Sequence, residues 1–139
     1  MNPQGAFDVL LIEDDPDHVE LTRRALDKSR VQSVLHRVCD GVDALEFLKR
    51  EDRYRAAPQP DVILLDLNLP RLSGHEVLQL IKADDDLSRI PVVVLTTSEA
   101  ATDRSQAFAH GLDGYLTKPL DTDALWGIVT RARMMRQSA

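Results

Sequence analysis

Residues 62–70 read Val-Ile-Leu-Leu-Asp-Leu-Asn-Leu-Pro (VILLDLNLP), an apolar run that ends on a carboxylate. Continuous Val/Ile/Leu segments without polar alternation are what parallel strands require, because crossover helices cover both faces of the sheet. Comparable short runs occur at FDVLLI (7–12), VLHRV (34–38), PVVVLT (91–96) and GYLT (114–117), with DVILL at 61–65. Amphipathic segments near 16–29, 42–53, 75–83, 99–110 and 121–136 separate and follow them. Five strands alternating with five helices predict an α/β, doubly wound parallel sheet. Within it Asp66 is the anomaly, since an unpaired carboxylate beside a core strand costs on the order of several kcal/mol or loses its charge.

Helix starts agree with this reading. Asp15-Pro16 offers an N-cap followed by proline at the first helical position, and Ser73-Gly74-His75-Glu76 matches a capping box. The segment KREDRYRAAPQP (49–60) is charged and then Ala/Pro-rich, predicting a helix end and a loop before the third strand.

A chain of 139 residues fits one domain, spanning 1–139. Its 43% apolar and 29% charged content is ordinary for a soluble globular protein, and no run approaches the roughly 20 apolar residues of a membrane span. The first residues, MNPQGAFDVLLIEDDP, carry no basic n-region and no long apolar stretch, so a cytoplasmic location and no membrane association are expected. The single Cys39 reads as a small apolar strand residue rather than a reactive thiol. A net charge of -6 argues against nucleic-acid binding. Arg131, Arg133 and Arg136 suit the negative end of a terminal helix, with a partner-binding patch as the alternative. His18, His36, His75 and His110 lack metal-ligand spacing, none is a catalytic candidate, and His18 is expected on the first helix near the core.

In an open parallel sheet, ligands bind at the carboxyl ends of the strands. There the sequence places Glu13-Asp14-Asp15, Asp66, Thr96-Thr97 and Lys118-Pro119. Neighbouring carboxylates repel by up to ~4 kcal/mol at ~4 Å and an effective dielectric near 20. Hard oxygen donors suit Mg2+ or Mn2+, and Lys118 supplies a fixed cation. Helix capping needs one acidic residue and does not account for Asp66 and Lys118 at other strand ends. A carboxylate beside a divalent ion, an ammonium and the Thr96 hydroxyl is equipped to attack a phosphoryl group, with Asp66 as the nucleophile.

These residues resemble the receiver domain of two-component response regulators over essentially the whole chain. The matching positions are Glu13-Asp14, Asp66 in DLNLP, Thr96 and Lys118-Pro119; positions 66 and 96 are 30 apart, and 96 and 118 are 22 apart. The resemblance implies a flavodoxin-like (βα)5 sheet in strand order 2-1-3-4-5. It implies a phosphoacceptor Asp66 supplied by the phosphohistidine of a sensor histidine kinase. Mg2+ would be held by Asp14, Asp66 and the backbone carbonyl of Asn68, with Glu13 acting through water. Lys118 would contact the phosphoryl oxygens, Thr96 and Tyr115 would form the switch, and the Lys118-Pro119 bond would be cis. FLKREDRYRAAPQPDVILLDLNLPRLSGHEVLQLIK followed by RIPVVVLTTSEA is similar to single-domain regulators paired with bacterial and cyanobacterial phytochrome kinases.

Asn68 stands where a related phosphatase class has a general-acid Asp, so slow self-dephosphorylation rather than enzymatic turnover is expected. Thr97 replaces a very small residue common beside the switch threonine, and Ser98 flanks the path of an attacking water. Only RMMRQSA follows the core stripe Leu125, Ile128, Val129 and Ala132, which predicts no output domain. Trp126 lies at the stripe edge, either half-buried or part of a homodimer contact on the fourth-to-fifth-helix face with Tyr115. Other readings are a phosphate sink or phosphorelay intermediate, a phosphorylation-independent binding module, and a flavin or nucleotide binder. The last is opposed by EDDP, which would repel a phosphate where a phosphate loop should lie.

Overall fold

A computed structural model describes residues 5–138, with side chains through residue 135. The strands are β1 (Phe7–Ile12), β2 (Ser33–Val38), β3 (Val62–Leu65), β4 (Val92–Thr96) and β5 (Gly114–Thr117). The helices are α1 (Pro16–Lys28), α2 (Gly41–Leu48), α3 (Gly74–Ala83), α4 (Ala101–Ala109) and α5 (Thr122–Ser138). All strand pairs are parallel and the order is β2-β1-β3-β4-β5, as expected for the doubly wound sheet.

The apolar runs divide their side chains between two layers with period two. Leu10, Ile12, Ile63, Leu65, Val92 and Val94 face α2, α3 and α4, where Phe47, Val77, Leu78, Ile81 and Ala107 meet them. Val9, Leu11, Val62, Leu64, Val93 and Leu95 face α1 and α5, where Val19, Leu26, Leu125 and Val129 meet them. Burying each such side chain contributes roughly 1.5–3 kcal/mol, which makes the central strands the firmest part of the molecule. Both anticipated helix starts are present. Asp15 accepts from Asp17 N at 2.9 Å, and Ser73 and Glu76 exchange the two capping-box bonds at 3.2 and 3.3 Å.

Three expectations change. α2 stops at Leu48 rather than near 53, because Arg50 adopts φ 56 and Asp52 φ 50, left-handed values that break helical continuation before a single 3-10 turn at Asp52–Tyr54. Cys39 lies just past β2 and is exposed, so it is not a buried strand residue. Arg133 does not simply complement a helix end: it pairs with Asp61 at 2.7 Å and covers the Phe7 ring at 4.5 Å. Arg131 is exposed, and the Arg136 side chain lies outside the described residues.

Trp126 is half-buried between α5 and α1. Its Nε1 donates to Ser29 Oγ at 2.9 Å and its ring centroid lies 5.4 Å from that of Phe7. Tyr115 packs on the opposite layer, so Trp126 and Tyr115 do not share a face.

Candidate functional site

Four strands end together, and past three of these ends the ladder continues by one residue. Glu13 N donates to Val38 O at 3.1 Å, Asp66 N to Ile12 O at 3.2 Å, and Lys118 N to Thr96 O at 2.8 Å. This extension fixes Glu13, Asp66 and Lys118 by backbone bonds, so their side chains rise from one sheet edge. Arg37 braces the acidic pair from β2, donating through Nε to Glu13 O at 3.0 Å and through Nη2 to Asp14 O at 3.2 Å. Behind Asp66 sits Gly74. A Cβ there would lie 2.5 Å from Asp66 O and from Leu67 Cα, so only glycine lets α3 begin so close to the acidic strand end.

Lys118 is the centre of the site. Its Nζ lies 2.5 Å from Glu13 Oε1, 2.8 Å from Asp66 Oδ2 and 2.7 Å from His18 Nδ1. The other Asp66 oxygen, Oδ1, accepts from Asn68 N at 2.9 Å. Burial works against charge on the Lys118 ammonium, yet its bonds to Asp66 and Glu13 prevail and lift its pKa above the usual lysine value. Burial also pushes Glu13 above the usual carboxylate range; Lys118 opposes this, and the charge of Asp66 adds to it. The Lys118-Pro119 peptide is cis.

The remaining predicted residues lie around this centre. Thr96 is fully buried, and its Oγ1 accepts from Ser98 N at 3.3 Å. Tyr115 points inward, donating from its hydroxyl to Ser98 O at 2.9 Å with the Arg104 guanidinium 5.4 Å from its ring centroid. Asp14 and Asn68 are at the same edge and exposed. Ligand atoms of Glu13, Asp66 and His18 fall within 4.8 Å of one another. The paired carboxylates fit a hard divalent ion, and Asp14 adds a further oxygen donor at the rim.

Two groups escaped the sequence reading. His18 stands at the third position of α1, and helical side chains lean toward the N-terminus, which tips it over the strand ends. That lean was the available signal. The second group is a chain of contacts from the β4–α4 loop: Ser98 Oγ donates to Asp103 Oδ2 at 2.7 Å, and Asp103 Oδ1 lies 3.2 Å from His75 Nε2 on α3. Ser98 first, and His75 second, hold the Asp103 carboxyl below its usual range. No local pattern joins residues 75, 98 and 103.

Carboxylates, a lysine and a threonine gather at the carboxyl edge of a 2-1-3-4-5 sheet, and the chain belongs to the response regulator receiver domain family, whose model matches residues 9–130. It is similar to response regulator Rcp1 of Synechocystis sp., with 40% identity over 121 residues, covering 87% of this chain and 82% of Rcp1. The phosphorylated cyanobacterial phytochrome response regulator RcpA superposes with TM-score 0.78 at 40% identity, over 90% of this chain and 89% of RcpA. The Mn2+-bound form of Rcp1 superposes with TM-score 0.77 at 40% identity, over 88% of each chain. Among the described residues no helix is long and apolar enough to cross a membrane.

Proposed function

We propose that this chain carries a signal by accepting a phosphoryl group on Asp66 from the phosphohistidine of a sensor histidine kinase. Asp66 Oδ2 attacks phosphorus and the P–N bond breaks with its electron pair passing to the kinase histidine, whose other ring nitrogen carries a proton so that it leaves as neutral imidazole, giving an acyl phosphate. The observation that carries this reading is the Lys118 ammonium 2.8 Å from Asp66, where it faces the carboxylate as a fixed counter-charge and can turn to a phosphoryl oxygen. Glu13, Asp14, Asp66 and the Asn68 carbonyl would hold Mg2+, or Mn2+ as in the Rcp1 structure. When bound, the ion supplies charge neutralisation for the phosphoryl oxygens.

Thr96 and Tyr115 form the switch, since both are tied to the Ser98 segment that a phosphoryl group beside Thr96 would disturb. Asn68 can transfer no proton to a leaving group, so the acyl phosphate decays slowly and the protein is not a turnover enzyme. A phytochrome kinase is the proposed partner, because RcpA is a phytochrome response regulator. A cytoplasmic homodimer acting without nucleic acid completes the reading. Beryllofluoride with Mg2+ tests the centre: a stable adduct in the wild type that disappears in Asp66→Asn is expected, and no wild-type adduct overturns the assignment.

A further inference from the structure

Among the described residues, one side chain besides the two carboxylates touches the Lys118 ammonium: His18, through Nδ1 at 2.7 Å. An ammonium has three donors and no acceptor, so Nδ1 accepts and the ring proton sits on Nε2, which faces Asp15 Oδ2 at 3.7 Å. Three N–H groups thus meet three acceptors, Glu13 Oε1, Asp66 Oδ2 and His18 Nδ1. The Lys118 side chain is 11% exposed, which leaves little room for water to compete as a fourth acceptor.

We propose that His18 is a positioning residue for Lys118: by taking one ammonium proton it directs the other two at Glu13 and Asp66, where a phosphoryl group would form. The inference rests on the phosphoacceptor reading for its functional half only. The lysine stem has four rotatable methylenes, and its head turns freely unless each proton has a fixed partner. Two carboxylates alone attract the charge without choosing its orientation, whereas the rigid imidazole, mounted on the first turn of α1, adds direction. A cavity bounded by His18, Leu21, Thr22 and Leu120 adjoins the ammonium, so shortening His18 to alanine would admit water as a substitute acceptor. Leucine fills that space and accepts nothing. Asparagine carries Oδ1 where histidine carries Nδ1, and glutamine places its oxygen a bond further out.

Protein labelled with 15N-lysine provides the test, with the Lys118 ammonium resonance assigned by its loss in Lys118→Met. The wild type and His18→Asn are expected to show a protected, slowly exchanging signal that broadens away in His18→Leu and His18→Gln. In parallel, beryllofluoride affinity with Mg2+ should fall about tenfold in His18→Leu and stay within about twofold of wild type in His18→Asn, as expected for loss and retention of one bond to a charged group. A wild-type ammonium signal in His18→Leu, or a His18→Asn variant as impaired as His18→Leu, overturns the role. Should His18→Leu fail to fold, the contrast between the Asn and Gln variants decides. Absence of any wild-type adduct would overturn the phosphoacceptor reading, and the ammonium signal would still decide the role of His18.

Discussion

Lys118 Nζ and Asp66 Oδ2 meet at 2.8 Å although 52 residues separate them in the chain. Both side chains are nearly buried, at 11% and 8% exposure, so each supplies the counter-charge that offsets the desolvation of the other. Lys118→Met therefore leaves two carboxylates facing each other and is expected to cost about 3 kcal/mol, read as a lower urea midpoint. Folding raises the lysine pKa, so this stabilisation is complete below the unfolded-state value and is lost as pH rises through the folded one. The wild type should lose stability at strongly alkaline pH by a margin that Lys118→Met lacks.

Glu13 behaves in the opposite functional sense with the same sign. Burial raises its folded pKa, so its ionised form is disfavoured in the fold, and the associated stability is lost as pH rises through the folded value. Glu13→Gln keeps an acceptor for Lys118 and removes the charge. Without divalent ions at neutral pH it should be more stable than wild type by thermal melting, with the gain shrinking as pH falls and the wild-type carboxyl protonates.

Gly74→Ala drives a methyl group against Asp66 O and Leu67 Cα, both backbone atoms that cannot step aside as a flexible side-chain end would. A loss of roughly 3 kcal/mol is expected in denaturant titration, accompanied by weaker beryllofluoride binding because the strand end carrying Asp66 shifts. Full wild-type stability in this variant would contradict the close approach.

Trp126→Ala removes the Ser29 hydrogen bond and the Phe7 contact. The expected cost is about 3 kcal/mol of stability with no change in molecular mass by sedimentation, since the ring is occupied within its own chain.

The architecture was legible because its signals are local. Runs such as Val62–Leu65 and Val92–Thr96 state their burial in composition, and Asp15-Pro16 and Ser73–Glu76 state where helices begin. Asp66, Thr96 and Lys118 could be found because strand ends converge by topology. The end of α2 was missed because Arg50 and Asp52 take left-handed backbone angles with no glycine to announce them. His18 was passed over because spacing along the chain does not reveal a contact made across 100 residues. Ser98, Asp103 and His75 come from a loop and two helices, so only the packed molecule unites them.

That last trio bears on how a signal leaves the site. The segment after Thr96 is tied to α4 through Asp103, onward to α3 through His75, and to β5 through the Tyr115 hydroxyl. A strap fastened at several points has few halfway positions, because slackening one knot strains the others. The outer face should therefore present two discrete shapes, and a population of molecules would report the phosphoryl group by the fraction that has let go.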